Sequence, residues 1–295
     1  MRKGSIALMI VGVAVVAWAA PLIRLAEEAP PISIAFWRTL IASFVLVPLA
    51  IFQRDDKLSK ARSHLLALFA SALFLTLHFA SWIASVNLTT VAASVLLVTS
   101  TPVWVGLVSA LFLKERFGPR GWIGVAAAVC GAAIVAAGGI SLYSTAVLGN
   151  SLALAGALAA SGYLIIGRSI RPRISLLTYV GVVYAMSALM LFAIALATGI
   201  DLIGFSTKTW LAILGLGIGP QLIGHTIFNF LLGELPAGKV AVVLMGEPIG
   251  SALIAGFLFG EVPGGLIIPG GVLLLAGIAL TVTSKVRVGD IPSVG

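Results

Sequence analysis

The chain has 295 residues, of which 60% are hydrophobic and only 9% are charged, and its mean hydropathy is +1.16. A soluble domain carries roughly 25% charged residues, so this composition excludes a soluble globular protein and indicates an integral membrane protein. The net charge of +8 is high, but the cations lie in short segments between long apolar runs, so we expect no nucleic-acid partner.

Ten apolar segments follow one another along the chain, and each is long enough to cross the roughly 30 Å hydrocarbon core of a bilayer as a helix. They comprise residues 4–25, 32–52, 64–86, 90–113, 119–138, 147–168, 175–198, 209–232, 237–259 and 263–284. The polar connections between them are short, so we expect no soluble domain. The sequence therefore predicts an all-α integral membrane protein with ten transmembrane helices.

The first segment begins after Arg2 and Lys3 and contains Ala17-Trp18-Ala19, which is similar to the cleavage site of a signal peptide. The apolar run continues beyond this site, and cleavage would remove the first helix of the repeat described below. We therefore expect the segment to stay in the protein as its first helix.

The 18 Lys and Arg residues favour one side of the predicted membrane. When the N-terminus is placed in the cytoplasm, all of them except Arg24, Arg38 and Lys208 fall in cytoplasmic segments. Cytoplasmic loops of membrane proteins are enriched in Lys and Arg. We expect a multi-pass protein of the cell inner membrane with both termini in the cytoplasm, although composition alone also fits an organelle or plasma membrane.

The second and third segments carry the first candidate site residues. Arg38 is the only cation deep within a predicted span. His78, Ser81, Trp82 and Ser85 form a polar and aromatic stripe along the third span. Such a stripe favours a cavity lining, while a lone His would more often be a structural residue. We expect Arg38, His78 and Trp82 to bind substrate or to act in gating.

The eighth segment contains "GLGIGP", residues 215–220, followed by a second polar stripe. A phosphate-binding loop would need a preceding strand in a soluble domain, and none is predicted. The glycines and Pro220 instead indicate either a hinge in a membrane helix or close helix packing. Gln221, His225 and Asn229 recur at four-residue spacing, so they share one helix face. This face is predicted to line a pathway, or alternatively to hold neighbouring helices by hydrogen bonds.

The ninth segment contains a carboxylate in "VVLMGEPIGSA", residues 242–252. An ionised acid at the centre of a membrane helix costs at least about 2.5 kcal/mol, so Glu247 is expected to face a pathway or a partner. At 1.5 Å per residue, Arg38 and Glu247 differ in depth by about 8 Å, so the two side chains could form an ion pair. With His78 and His225, Glu247 could also bind a coupling proton.

The two halves of the chain resemble each other at an offset of 146 residues. The matched pairs are Pro102 with Pro248, Glu115 with Glu261, Gly124 with Gly270, and Gly131 with Gly277. Residues 1–146 and 147–295 would each hold five spans, and an odd number inverts the second half. Pro102 and Pro248 are predicted hinges next to the site, and the paired glutamates are expected to anchor or cap helix ends.

These features resemble the drug/metabolite transporter superfamily, in particular its ten-helix EamA family. The resemblance covers the whole chain and is carried by the paired Pro and Glu residues, by Trp37-Arg38 and by the "GEP" of 246–248. It implies a transporter of inverted repeats that commonly exports amino acids or related metabolites. It does not imply one substrate, so a drug, a nucleoside or a sugar derivative remains an alternative.

The remaining expectations concern the substrate and the competing classes of protein. Trp18 and Tyr163 occupy nearly equivalent places in the two halves and are predicted to wall the cavity. For a zwitterionic amino acid, Arg38 would face the carboxylate and Glu247 the ammonium. The sequence contains neither a zinc-protease motif nor a cluster with metal-ligand spacing, so no enzyme, metal or cofactor is expected. A channel is a weaker alternative, and oligomeric state is not encoded in these patterns.

Overall fold

A computed structural model describes residues 3–53, 58–89, 91–137, 146–259 and 266–288. The helices are α1 Lys3–Val16, α2 Ala19–Leu25, α3 Pro31–Phe52, α4 Leu58–Ser63, α5 Leu65–Leu88, α6 Val91–Val98, α7 Thr101–Phe112, α8 Pro119–Ala137, α9 Ala146–Ile170, α10 Leu176–Thr198, α11 Thr207–Leu216, a π-helix Gly217–His225, α12 Thr226–Glu234, α13 Ala237–Leu244, α14 Glu247–Phe259 and α15 Ile267–Thr283. Two strands complete the fold, β1 Glu115–Phe117 and β2 Val286–Val288.

Helices occupy each of the ten apolar segments, and seven stretches of the described chain are long and apolar enough to cross a membrane. The seven are residues 4–25, 31–52, 65–88, 147–170, 176–198, 207–234 and 237–259. Helix α7 and most of α15 are apolar but shorter. The protein is thus a helical membrane protein, while the count of ten spans and the side of the termini stay predictions. Arg2 and Glu261 lie outside the described residues.

Large apolar side chains cover the outer surface of the bundle. Phe52, Leu66 and Phe257 are each more than 80% exposed, as expected for helices whose surroundings are lipid. The interior is built where α3 packs along α10 and α5 packs along α9. Each of these helix pairs joins the first half of the chain to the second.

Three predicted spans are interrupted in the middle. The first breaks between Val16 and Ala19, the fourth between Val98 and Thr101, and the ninth between Leu244 and Glu247. The last two breaks are 146 residues apart, which is the offset of the sequence repeat. Pro102 and Pro248 occupy the second position of α7 and α14, where proline costs no helix hydrogen bond.

The eighth span contains a π-helix where the sequence predicted a regular helix with a weak point. Pro220 lies inside this stretch, between α11 and α12. Proline lacks the N–H needed for the α-helical ladder, and its ring collides with the carbonyl four residues earlier. A wider turn accommodates the proline, and such π-turns are frequent at functional sites.

Helices α8 and α15 approach each other backbone to backbone. A Cβ atom on Gly131 would lie 2.3 Å from the amide nitrogen of Leu274 and 2.7 Å from the carbonyl oxygen of Gly270. A Cβ on Gly277 would lie 2.7 Å from the carbonyl oxygen of Gly124. Only glycine fits at such distances. Adding 146 to 124 gives 270, and subtracting 146 from 277 gives 131, so the two contacts are equivalent under the repeat.

The strands form a feature that the all-α prediction lacked. Strand β1 follows α7, and β2 follows α15, and the two pair antiparallel with Glu115 opposite Val288 and Phe117 opposite Val286. Three-residue strands are too short to give a recognisable alternation in sequence. The ribbon lies at the end of the bundle that also holds Ser5, which we call the N-terminal end; the opposite end is the far end.

Substitution of Gly277 by alanine is expected to destabilise the α8–α15 contact by about 1–3 kcal/mol, because the new methyl group meets backbone atoms that cannot rotate away. Thermal unfolding in detergent measures the effect. Gly271→Ala is the control on the same helix, since its Cβ would lie 3.6 Å from a side-chain atom of Ile249. Equal melting temperatures for the two variants would contradict the close contact.

Candidate functional site

A cavity of about 80 Å³ lies where the interrupted helices meet, which is room for several water molecules. Val16 and Ala19 reach it from the first break, and Met245 reaches it from the ninth span. Helices α5, α9 and α12 complete the wall. Its polar and aromatic lining consists of His78, Trp82, Thr99, Thr101, Tyr163, His225, Phe228, Asn229 and Glu247.

Glu247 is the only acid of this lining, and it begins helix α14. The first amide groups of a helix carry a partial positive charge, which favours a carboxylate there. Thr101 begins helix α7 at the equivalent place in the first half and lines the same cavity. Two helix N-termini therefore meet the cavity, one with a carboxylate and one with a hydroxyl.

Arg38 lies behind the cavity wall on α3 and is completely buried. Its Nε donates a hydrogen bond to Oε1 of Gln221 at 3.0 Å. The centre of its guanidinium lies 4.0 Å from the centre of the Phe79 ring, so the cation also stacks on an aromatic face. The Nη1 and Nη2 groups of Arg38 and the Nε2 group of Gln221 have no hydrogen-bond partner among the described residues.

The ion pair considered between Arg38 and Glu247 is not formed. Arg168 and Glu115, by contrast, do form an ion pair, with 2.8 Å between Nε and Oε1. Arg38 is held by the amide of Gln221 instead.

Asn229 organises the side of the cavity formed by α12. Its Nδ2 lies 2.6 Å from the hydroxyl oxygen of Tyr163, 3.1 Å from that of Tyr184 and 2.7 Å from the carbonyl oxygen of His225, so its two N–H groups are shared among three acceptors. Its Oδ1 has no partner within the described chain. The amide thus links helices α9, α10 and α12 and keeps one acceptor free.

His78 and Trp82 form the opposite wall. The rings stack with centres 5.9 Å apart and planes at 2° to each other. The Nδ1 of His78 lies 3.0 Å from the carbonyl oxygen of Gly156, which only accepts, so Nδ1 carries the proton. The Nε1 of Trp82 is buried without a hydrogen-bond partner in the described part of the chain. The ring of His225 meets Phe79 edge to face at 5.3 Å.

The structure brings most of the predicted site residues together. His78, Trp82, Tyr163, His225, Asn229 and Glu247 line the cavity with Pro102, and Gln221 contacts Arg38 behind it. Pro220 and Pro248 are buried next to the irregular turns.

Trp18 lies apart from this group, because it falls in the break between α1 and α2 with 43% of its surface exposed. Ser81 also points elsewhere and lines a groove on the outside of α5 and α9. Ser85 is buried and contacts the hydroxyl of Ser94.

Sequence reasoning missed three contributors to the site. Phe79 supports Arg38, Tyr184 accepts from Asn229, and Thr101 lines the cavity. For two of them a signal existed, since Tyr184 and Thr101 are the counterparts of Arg38 and Glu247 at the 146-residue offset. Phe79 gave no signal, because an apolar ring in an apolar span is unremarkable.

A buried carboxylate closes the N-terminal end of the bundle. Oε1 of Glu115 accepts from Nε of Arg168 at 2.8 Å, and Oε2 accepts from the backbone N–H of Ala237 at 3.1 Å. Nη1 of Arg168 donates to the carbonyl oxygen of Leu232 at 3.0 Å. The sequence predicted that Glu115 anchors or caps the end of its own helix, but the carboxylate is buried and caps α13 of the other half instead. We call this set the N-terminal latch.

An exposed carboxylate makes the corresponding contact at the far end. Glu28 accepts hydrogen bonds from the Ser206 hydroxyl at 2.6 Å, the Thr209 hydroxyl at 2.8 Å and the Ser206 N–H at 3.0 Å. Beside this far-end latch, Ser33 donates to the carbonyl oxygen of Asp201 at 2.6 Å.

The Ser206 and Thr209 hydrogen bonds hold the pKa of Glu28 below its ordinary value of 4.5. They favour the ionised carboxylate, so the stabilisation by the far-end latch is present above pH 4.5 and is lost as the pH falls through the lowered pKa.

Comparison with known proteins identifies the family to which the chain belongs. The model of the EamA-like transporter family matches residues 3–137 and again residues 147–283. The chain belongs to the EamA-like transporter family. It is therefore also a member of the drug/metabolite transporter superfamily.

The relatives are full-length matches. An uncharacterized transporter of Archaeoglobus fulgidus is 24% identical over 266 residues, covering 88% of this chain and 90% of the relative. The uncharacterized transporter YdfC of Bacillus subtilis is 26% identical over 288 residues, covering 95% and 92%. A protein of known crystal structure superimposes with a TM-score of 0.80 at 19% identity, covering 95% of this chain and 96% of that chain. At this identity the last comparison shows the fold alone.

Replacement of Arg38 by methionine is expected to leave the melting temperature unchanged or higher, because it removes a buried cation with two unpaired donor groups. Arg168→Met is the control, since that arginine is paired with Glu115. Breaking the pair is expected to cost about 3 kcal/mol. An equal loss of stability in both variants would show that Arg38 is a structural residue.

Proposed function

We propose that this protein is a secondary transporter that moves a small metabolite across the cell inner membrane by alternating access, with export of amino acids or related compounds as the principal activity. The family membership establishes a transporter. The observation that carries the proposal is the cavity at the junction of interrupted helices, which is lined by one carboxylate and has a buried, incompletely paired arginine behind its wall. Transport without chemical change requires no catalytic group.

The unpaired polar atoms around the cavity support a zwitterionic substrate. Four donor groups lack partners among the described residues: Nη1 and Nη2 of Arg38, Nε2 of Gln221 and Nε1 of Trp82. Such donors suit the oxygens of a carboxylate. Glu247 supplies the complementary anion for an ammonium group, and the stacked His78 and Trp82 rings offer a flat surface for a side chain.

Several features support two inverted repeats, residues 1–146 and 147–295. The family model matches twice, and the fourth and ninth spans break at equivalent positions. The backbone contacts of α8 with α15 exchange under the same offset. We further propose that the N-terminal end faces the cytoplasm, because Arg116, Arg168, Arg173 and Lys285 accumulate there.

Alternating access requires one gate on each side of the substrate, and the two latches are suitable gates. Each joins a carboxylate of the first half to the N-terminus of a helix in the second half, with Glu115 at α13 and Glu28 at α11. Both latches are closed in this structure. We propose that they open in turn.

Counterflow in liposomes tests the function. The wild-type protein is expected to exchange labelled amino acids saturably, and Glu247→Gln is expected to lose at least tenfold in rate, because the neutral amide attracts an ammonium group less strongly. Glu27→Gln is the control, since Glu27 is exposed and outside the cavity. A pH gradient applied in the same assay determines whether a proton is coupled.

Competing solutes make the assignment of groups testable. In the wild-type protein, an amine that lacks the carboxylate should compete poorly with the labelled amino acid for exchange. An N-acetylated amino acid, which lacks the ammonium group, should compete poorly as well. Exchange of nucleosides or sugar derivatives, but not of amino acids, would show that the substrate belongs to one of those classes instead. A single-channel current would indicate a channel. Exchange at the wild-type rate by Glu247→Gln would overturn the role of this residue.

Labelling of a cysteine at position 101, in a Cys130→Ser background, tests the gates. Glu28→Gln is expected to raise the rate of labelling by an impermeant maleimide severalfold from the far end only, and Glu115→Gln from the N-terminal end only. Lowering the pH through the lowered pKa of Glu28 should raise labelling of the wild type from the far end relative to labelling from the N-terminal end at the same pH. It should add little in Glu28→Gln, because that substitution has already removed the charge of this latch. Glu27→Gln is again the control. Increased labelling from the same side in both variants would disprove opposed gates.

A further inference from the structure

The two strands at the N-terminal end place like charges directly opposite each other. Arg116 of β1 is the cross-strand partner of Arg287 of β2. Each strand is also preceded by a lysine, giving the sequences Lys114-Glu-Arg-Phe and Lys285-Val-Arg-Val. We call Lys114, Arg116, Lys285 and Arg287 the cationic ribbon.

All four cations of the ribbon are exposed, while the acid of β1 faces the other way. Side chains alternate along a strand, so Arg116 and Arg287 share the outer face, and Lys285 lies two residues before Arg287. Glu115 is buried on the inner face and is engaged by Arg168 and by the N–H of Ala237. Neither described strand carries an acid on this outer face.

The opposed arginines repel each other across the strand pair, and a bound anion would relieve this repulsion. Like charges directly opposite each other on a sheet repel and destabilise the pair. Two arginine side chains near one another form a suitable site for a phosphate group, which accepts several hydrogen bonds from guanidinium groups. The strand pair is retained even though two three-residue strands contribute few hydrogen bonds of their own.

The surroundings of the ribbon identify the source of the phosphate. Strand β1 lies between the end of α7 and the start of α8, where Leu111, Phe112 and Ile123 are 76%, 74% and 62% exposed. Such exposed apolar residues face lipid chains, so the adjoining cations lie at the depth of the headgroups. We propose that the outer face of the cationic ribbon binds the headgroup of an anionic phospholipid. This inference does not depend on the transported substrate.

Native mass spectrometry of the full-length protein, titrated with phosphatidylglycerol or phosphatidylcholine, tests the proposal. The wild type is expected to prefer phosphatidylglycerol, and the preference should fall as the salt concentration rises. At about 1 kcal/mol for each cation near an anionic surface, Arg116→Gln/Arg287→Gln is expected to bind this lipid on the order of 30-fold more weakly.

Two further variants separate the ribbon from general charge effects. Arg173→Gln/Lys208→Gln removes the same charge from exposed positions elsewhere and should retain binding. Arg116→Lys/Arg287→Lys retains the charge and should keep most of the preference, which also covers the case in which the glutamine variant fails to fold. Equal affinity of the wild type for both lipids, or an equal loss in the control, would overturn the proposal. Thermal stabilisation by inorganic phosphate that equals that by phosphatidylglycerol would assign the site to a free anion instead.

Discussion

The absence of water from the bilayer core is the constraint on which the rest of this structure depends, because every interrupted backbone must find its partners inside the protein. At the fourth span, side chains meet this need, since the hydroxyls of Ser100 and Thr101 bond to the carbonyl oxygens of Leu97 and Val98 at 2.6 Å. At the equivalent break in the ninth span stand Gly246 and Glu247, which have no hydroxyl. There the cavity borders the break, and a carboxylate lies at the helix N-terminus, where the peptide dipoles lower its cost.

Much of the site was predictable because it rests on local pattern. Pro102 and Pro248, predicted as hinges, do lie beside two helix breaks. The paired glycines marked the repeat, and the structure adds that they lie at the contact of α8 with α15. A lone acid in an apolar run must face a polar region, so Glu247 could be placed in the cavity before any geometry was known. Gln221, His225 and Asn229 share one face in the structure as predicted, although part of the predicted α-helix is a π-helix. Residues four apart lie on nearly the same face in both kinds of helix.

The rest of the site depends on contacts between distant segments, which single-sequence pattern does not specify. Trp18 and Tyr163 lie at nearly equivalent positions of the two repeats, but only one of them faces the cavity. The break between α1 and α2 turns the ring of Trp18 outward, whereas α9 is continuous and keeps Tyr163 inside. The partner of Arg38 is likewise tertiary, since depth alone allowed Glu247 while the packing of α3 against the π-helix selected Gln221. The latches of Glu28 and Glu115 bridge more than 100 residues. Neither carries a motif of its own.

The distribution of contacts between the halves indicates which parts can move. Each latch is made by polar contacts to a single carboxylate, and water can take over these contacts when an end opens. The contact of α8 with α15 is made by backbone atoms at glycines, and any sliding would bring neighbouring Cβ atoms into collision. We therefore expect α8 and α15 to stay together while the latches open. The strand pair supports the same conclusion. Strand β1 ends just before α8 and strand β2 begins just after α15, so their pairing ties these two helices together.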